Sequence, residues 1–406
     1  MQVPGSPEAN AGLEGSRLAL NLKEHPTRYV VRNARQFNSR RSDFAPMFNG
    51  DILYYTTTNE KVKGTNRSEI TGMKKSDIWM VTKNEQGQWM RPEPVEGELN
   101  SDLDEGIVSF TPDGNMMYLT KARRSPNSNT AVEIFTSTRS DAQWSAPVKL
   151  EITNDTISSF GHPAVSPSGE YLYFSSDMPG TGGKDIWRIN LNERQGSLEN
   201  LGEEINTEGN EEFPYVYSDS ILYFASDGHP GLGGLDIFRA DLQPDGHWKV
   251  TNMGTPINSS GDDFGITFDR SAKIPMGFIS SNRGDARGYD HLYSFELPDL
   301  KIELNGWVTD HDEEPINGAV VRIVGTDGSN QRTATRADGY YSFPLQRGVS
   351  YAMLAGARGY LNARQEFSTD TLEQDAEYGI DFMLASLSKP NIVENIFYDF
   401  DRATLR

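Results

Sequence analysis

Asp185-Ile186-Trp187-Arg188 returns as Asp236-Ile237-Phe238-Arg239, with looser copies at Asp77-Ile78-Trp79, Glu133-Ile134-Phe135 and Asp290-His291-Leu292-Tyr293. The acidic residues of the five copies lie 56, 52, 51 and 54 residues apart. A period of this length marks a repeat architecture in which each copy is one supersecondary unit. The fourth copy shows the internal order. Glu212-Phe213-Pro214-Tyr215-Val216 leads through Asp219-Ser220 to Ile221-Leu222-Tyr223-Phe224-Ala225-Ser226-Asp227. A Gly-rich turn, Gly228 to Gly234, precedes the tetrapeptide run, and a turn at Pro244-Asp245-Gly246 precedes His247-Trp248-Lys249-Val250. Four short β-prone runs separated by turn signals predict a four-stranded unit. The second run is continuously apolar in every copy, as in Tyr171-Leu172-Tyr173-Phe174 and Met116-Met117-Tyr118-Leu119. A strand reads this way when both of its faces are covered.

The units span roughly 44–100, 104–155, 159–208, 210–260 and 262–297. Four strands per unit, repeated five times, predict an all-β fold: a five-bladed β-propeller over residues 26–299. The fifth unit lacks an outermost strand. Arg28 to Ser39, ending Gln36-Phe37-Asn38-Ser39, is similar to the repeat ends Leu99-Asn100-Ser101 and Ile257-Asn258-Ser259. This N-terminal segment is therefore expected to supply the missing strand and close the ring, which removes open sheet edges. The repeats resemble the PD40 family of WD40-like propellers, on Ser166-Pro167-Ser168-Gly169, Ser175-Ser176-Asp177 and Phe110-Thr111-Pro112-Asp113-Gly114, with Ser168 standing where that family has Asp. The resemblance implies the fold and says little about a ligand.

From Lys301 the pattern changes. Gly306-Trp307-Val308-Thr309-Asp310, Pro315-Ile316-Asn317-Gly318-Ala319-Val320-Val321 and Asp338-Gly339-Tyr340-Tyr341-Ser342-Phe343 are short alternating strands joined by Asp-Gly turns. They predict a small β-sandwich over 300–385. These motifs resemble the carboxypeptidase regulatory-like, transthyretin-type domain, which carries no peptidase residues and implies a spacer or interaction role. Residues 386–406 read as a linker followed by Tyr398-Asp399-Phe400-Asp401, which resembles the opening of an OmpA-type peptidoglycan-binding domain. Residues 1–25 read as a linker or as the tail of an upstream helical domain, since Leu13, Ser16, Leu20 and Glu24 allow helical turns. The order of these parts resembles that of outer-membrane lipoproteins of the type IX secretion system in the Bacteroidetes.

Composition narrows the chemistry. A net charge of -20 opposes nucleic-acid binding, because phosphate contacts need clustered Lys and Arg. The chain has no cysteine, which excludes disulfides and thiolate metal sites. No window approaches a membrane span of about 18 apolar residues. Membrane association is expected only through an upstream lipid anchor outside this chain.

Gly180-Thr181-Gly182-Gly183-Lys184-Asp185 lacks the Ser or Thr that follows the lysine of a phosphate loop. It recurs as Gly231-Leu232-Gly233-Gly234-Leu235-Asp236, which marks it as a repeated connection. Arg283-Gly284-Asp285 falls in the corresponding loop of the fifth unit. The six histidines show no zinc spacing, Asp310 and Asp312 lack an EF-hand frame, and no Gly-x-Ser-x-Gly elbow occurs. The acidic residues before Ile-Trp read as hydrogen-bond anchors, since a catalytic pair would not recur five times.

No catalytic residue, cofactor or metal is therefore expected. The expected function is that of a non-enzymatic periplasmic scaffold associated with the outer membrane. It would bind a protein or peptide partner of an envelope complex, reaching peptidoglycan only through a C-terminal domain outside this chain. Candidate contacts are the loops after the Ser-Asp corners, at Arg123, Arg124, Met178, His229 and Arg283. The alternative is a carbohydrate-active or lyase propeller. It should show non-repeating acidic or His residues at positions facing the axis.

Overall fold

The apolar second run of each repeat forms a strand that is buried along nearly its whole length, as in Ile221–Ser226 and Tyr171–Ser176. Such a run cannot remain at a surface, so it takes neighbours on both sides and both faces. The computed structural model describes residues 7–63, 67, 74–122, 131–140, 143–193, 197–369, 372 and 374–388. The described residues are all-β apart from one helix, Pro7–Glu24. It divides into two units, Met1–Pro298 and Asp299–Arg406.

The first unit contains five antiparallel sheets, numbered I to V in chain order. Sheet I is Asp43–Asn49, Ile52–Thr57, Asp77–Val81 and Glu93–Pro94. Sheet II runs Glu105–Phe110, Met116–Ala122, Val132–Ser140 and Val148–Lys149. Sheet III is Phe160–Val165, Tyr171–Ser176, Asp185–Asn190 and Glu199–Asn200. Sheet IV is Glu211–Ser218, Ile221–Ser226, Asp236–Leu242 and Trp248–Asn252. Sheet V takes Asp263–Phe268, Met276–Ser281 and His291–Glu296 from one end of the chain and Val30–Asn33 from the other. The last pairing is antiparallel, from Val30 opposite Glu296 to Asn33 opposite Tyr293.

Two polar devices recur and explain why the repeat ends look alike. In sheets I, III, IV and V an asparagine side chain clamps both backbone groups of one third-strand residue. Asn100 accepts from the Ile78 N–H (2.8 Å) and donates to its carbonyl (2.9 Å). Asn206 does the same at Ile186, Asn258 at Ile237 and Asn38 at Leu292. The amide thus continues the ladder where the fourth strand has already ended. The residue after each asparagine then donates its N–H to an acid on the first strand of the following repeat: Ser39 to Asp43, Ser101 to Glu105, Thr207 to Glu211 and Ser259 to Asp263. A buried carboxylate satisfied by N–H and hydroxyl donors is tolerable where a bare one is not. Among the described residues sheet II shows no such clamp: the Leu150 N–H bonds the Ile134 carbonyl as Leu201 does that of Ile186, but no Ile-Asn or Leu-Asn pair follows it. Its outer run is broken around Pro147 into Gln143–Trp144 and Val148–Lys149, both paired with the third strand.

The first strands of neighbouring sheets lie side by side, and the contacts run cyclically from sheet I through sheet V and back to sheet I. Hydrogen bonds mark several of these junctions. Thr56 accepts from the Ile107 N–H, Thr120 from the His162 N–H, and Ser280 from the Ala45 N–H, all at 2.8–2.9 Å. The helix Pro7–Glu24 is longer than its sequence pattern and reaches the end of sheet IV, where Thr255 Oγ1 donates to the Leu22 carbonyl (2.8 Å).

The second unit has two four-stranded sheets. One orders Tyr340–Leu345, Ile302–Asp310 and Ala376–Gly379, with Phe382–Leu384 also parallel to Ile302–Asp310. The other orders Asn330–Ala334, Val320–Gly325, Ser350–Gly356 and Ala363–Ser368. Alternation along Ile302–Asp310 sends Ile302, Leu304 and Val308 into a core with Val321, Ile323, Tyr341, Phe343, Met353 and Phe382.

Candidate binding site on the inner strands

The third residue of each inner strand is the geometric focus of the first unit. Ala45, Ile107, His162, Phe213 and Gly265 occupy equivalent positions, all with positive φ (51°, 47°, 53°, 52° and 60°). Each sits at an irregularity in the pairing of its first and second strands. Left-handed backbone at a β-branched residue such as Ile107 costs on the order of 1–3 kcal/mol and persists only where the surroundings impose it. Here the inter-sheet hydrogen bonds to Ala45, Ile107 and His162 help impose it. The bulge gathers these residues around a cavity of only about 20 Å³, floored by Pro46, Pro163 and Pro214.

On one side of this constriction the residues no longer repeat. His162 stacks on Phe213 with ring centroids 4.0 Å apart, Phe213 lies 4.6 Å from Phe264, and Phe264 lies 6.3 Å from Phe44. Glu212 is ion-paired to Lys184, and its carboxylate stands 3.9 Å from His162 Nδ1. His162 Nδ1 also accepts the Phe213 N–H at 3.3 Å, so the imidazole is neutral and carries its proton on Nε2. Burial, against the opposing Glu212 charge and with a smaller push from Lys184, brings His162 down to about 4. Burial would raise Glu212, but the charge of His162 when protonated, followed by the Lys184 ammonium and its hydrogen bond, holds its carboxyl below the ordinary value. The result is an ionised acceptor, a neutral N–H donor and an aromatic edge.

On the other side, where the first strands turn into the second, a shallow mouth of about 300 Å³ is lined by Asn49, Thr111, Pro112, Ser166, Pro167 and Arg270 among others. Arg270 is already committed, donating to the carbonyls of Val216 (3.3 Å) and Tyr217 (2.5 Å).

The other inner-strand acids are anchors. Asp43, Glu105, Glu211 and Asp263 are buried and engaged by the N–H groups described above. The acids of the Asp-Ile-Trp repeats hold loops: Asp185 accepts from Thr181 and Gly182, and Asp236 from Leu232 and Gly233. Among the described residues no group of three or more His, Asp or Glu is placed to hold a metal ion.

The loop residues singled out from the sequence do not converge. Arg123 and Arg124 lie outside the described residues. Met178 is buried in the core shared by sheets II and III. His229 bonds the Ile205 carbonyl through Nε2 (2.9 Å) and edges against Phe224 and Phe238. Arg283 spends its guanidinium on Asp263, Ser281 and the carbonyls of Pro256 and Ile257. Asp285 of the same tripeptide is held by Arg287 and His291. Met178, His229 and Arg283 therefore tie loops down, because each side chain already has its partners inside the fold. The residues that do converge, His162, Glu212, Phe213 and Lys184, were not among those candidates. Their signal lies in the repeat alignment, where His162 and Phe213 stand against Ala45, Ile107 and Gly265, and Glu212 against Phe44, Gly106, Gly161 and Phe264.

No match was found among curated proteins. Among solved structures the chain is similar to a glycoside hydrolase at 9% identity, covering 70% of this chain and 96% of that one with a TM-score of 0.43. It is also similar to a thermostable family-43 glycoside hydrolase at 14% identity, with coverages of 65% and 91% and a TM-score of 0.41. Catechol 1,2-dioxygenase from Pseudomonas arvilla C-1 aligns over 23% of this chain and 54% of its own length, at 15% identity and a TM-score of 0.18. Likenesses of this size carry no inference about activity. Residues 303–385 match the carboxypeptidase regulatory-like domain, and that family occupies the second unit of the chain.

Proposed function

We propose that the first unit is a five-bladed β-propeller acting as a non-enzymatic interaction scaffold, with the carboxypeptidase regulatory-like domain as spacer or second contact surface. The cyclic order of inner-strand contacts and the strand Val30–Asn33 completing sheet V support the propeller reading. One observation carries the functional reading. The inner strands meet around about 20 Å³, a space too small to admit a polymer chain, so a partner is met at the ends of these strands. The central space lies far below the roughly 300–1,000 Å³ of an ordinary small-molecule pocket, which favours recognition of a protein or peptide at the strand ends. The face at His162, Glu212, Phe213 and Lys184 is the proposed contact. The order of the domains further supports a place in the periplasm beside an outer-membrane complex, type IX secretion being the reading the sequence favours.

The test is co-purification of the tagged protein with envelope proteins from its own cells, compared with a Phe213→Ala, Lys184→Glu variant. Loss of specific partners is expected from a variant that circular dichroism shows to be folded, with some loss of thermal stability because the His162 stacking and the Glu212 ion pair go with it. Partners retained by the variant would remove this face from the proposal. A second reading, a carbohydrate-active or lyase enzyme, is favoured by the non-repeating His162 and Glu212 beside the axis. Its weakness is that glycoside hydrolysis ordinarily uses two carboxyl groups, one of them protonated, whereas Glu212 is a single carboxylate paired to Lys184. Polysaccharide turnover by the purified chain, abolished by Glu212→Gln, would replace the first reading with this one.

A further inference from the structure

The chain carries a net charge of -20, yet one concavity gathers five basic side chains. A groove of about 600 Å³ runs along the seam between sheets V and I, where the N-terminal segment leads into the first repeat. Among the described residues its walls carry Arg40, Arg41, Lys61, Arg91 and Arg287 against one carboxylate, that of Glu60. Two of the cations are positioned by internal partners. Arg41 bonds Glu60 (2.8 Å) and the Tyr289 hydroxyl (2.7 Å), while Arg287 pairs with Asp285 (2.7 Å) and lies over the Tyr289 ring at 4.6 Å. Arg40, Lys61 and Arg91 are exposed. Both Glu60 oxygens are already engaged, by Arg41 and Arg67.

Like charges gathered in one groove repel one another, and a chain with 58 acids could have neutralised them at little cost. The floor is apolar and rigid: Phe37, Tyr55 and Trp79 are 3%, 2% and 7% exposed, and Phe37 packs edge-on against Trp89 at 5.4 Å. Cationic walls over a fixed floor fit a ligand with several carboxylates on a narrow backbone, each able to meet a guanidinium in forked geometry. The Phe37, Tyr55 and Trp79 rings are too deeply buried to offer a stacking face to a sugar. A long polyanion would meet the repulsion of the remaining surface, whereas a short segment feels mainly the local field within a Debye length of about 8–10 Å.

We infer that this groove is a docking site for a short acidic peptide segment of a partner protein. The site lies at the rim seam and is independent of the inner-strand face proposed above. The test titrates the full chain with the capped peptide acetyl-Glu-Asp-Leu-Asp-Glu-amide, with its Lys-for-acid counterpart and with oligogalacturonate, following Trp fluorescence and calorimetry. Saturable binding of the acidic peptide alone is expected, weakening by about tenfold or more between low and physiological salt. Arg40→Glu with Arg91→Glu should remove it while leaving the melting temperature unchanged, because both side chains are exposed. Glu212→Gln should bind as the parent does, which separates this site from the inner-strand face. Absence of saturation up to about 1 mM peptide, or equal binding by the double variant, overturns the inference. Equal or tighter binding of oligogalacturonate also overturns it, in favour of an anionic-glycan site.

Discussion

At the residue scale, the asparagine clamp shows how one side chain can replace a strand. Asn206 is buried and pairs with both backbone groups of Ile186, at 2.8 and 3.1 Å. Asn206→Ala leaves the buried Ile186 N–H without a partner, at about 1–3 kcal/mol, while the Ile186 carbonyl keeps the Leu201 N–H at 3.2 Å. We predict a loss of about 1–3 kcal/mol in urea unfolding for Asn206→Ala; a loss below about 0.5 kcal/mol would show that water replaces the clamp. Asp236 supports a prediction about pH. Burial raises its pKa from 3.8 to about 6, against the opposing N–H donors of Gly233 and Leu232, and its Oδ1 has no partner among the described residues. The folded state therefore holds this proton more tightly than the unfolded chain. The resulting stability is complete below the ordinary value of 3.8 and is lost as pH rises through about 6. Asp77, Glu211 and Asp290 are raised to about 6 in the same way, while buried His162 and His229 are lowered and act in the opposite sense over part of the window. The difference between variant and parent isolates one group. Asp236→Asn keeps an acceptor for the loop N–H groups and should gain about 1–2 kcal/mol on the parent between mildly acidic and neutral pH. A difference that does not change with pH would mean that Asp236 takes up no proton on folding.

At the element scale, the N-terminal segment matters most. Val30–Asn33 pairs with His291–Glu296, Tyr29 edges against Phe295 at 5.8 Å, Phe37 is buried and Asn38 clamps Leu292. Deleting residues 26–39 removes all four contacts and exposes the edge of the third strand of sheet V. We predict that this deletion sharply lowers the melting temperature or yields insoluble protein. Phe37→Ala, which tests the same contact without removing backbone, should cost about 3–5 kcal/mol. An unchanged melting temperature in both would mean that sheet V is stable with three strands. The likeness of Phe37-Asn38-Ser39 to the other repeat ends made this segment legible, because all of them perform the same clamp. The inner-strand bulge was not legible in the same way. Ala45, Ile107 and Phe213 give no sign of positive φ in their side chains, and only Gly265 has the residue type that such backbone favours. The candidate site depends on that bulge, so its residues could be aligned in the sequence but not seen to converge. The fourth strands were also poorly marked: those of sheets I, II and III are two residues long, and side-chain clamps or backbone bonds at Leu201, Val95 and Leu150 finish their edges.

At the scale of the whole molecule, the two units have separate cores. Leu304, Val321, Tyr341 and Met353 belong to a cluster drawn wholly from the second unit, whereas Tyr223, Ile237, Ile279 and Phe295 belong to a cluster of the first. The chain passes once from one unit to the other, after Pro298. Domains with their own cores can unfold as separate cooperative units, and a cavity in one core then lowers the stability of that unit alone. Leu304 and Ile279 are fully buried, so truncating either to Ala should cost about 2–5 kcal/mol. Hydrogen exchange read by mass spectrometry on the full chain should then respond in two separate blocks. Leu304→Ala should accelerate exchange along Ile302–Asp310, Val320–Gly325 and Ser350–Gly356 while leaving the slow amides of Ile221–Ser226 and Met276–Ser281 unchanged. Ile279→Ala should do the reverse, and its effect should extend beyond sheet V to sheet IV, because Ile279 shares its cluster with Tyr223 and Ile237. Acceleration confined to sheet V would count against cooperative unfolding around the cyclic sheet contacts. Acceleration in both units from either substitution would show that the regulatory-like domain and the repeats unfold as one body.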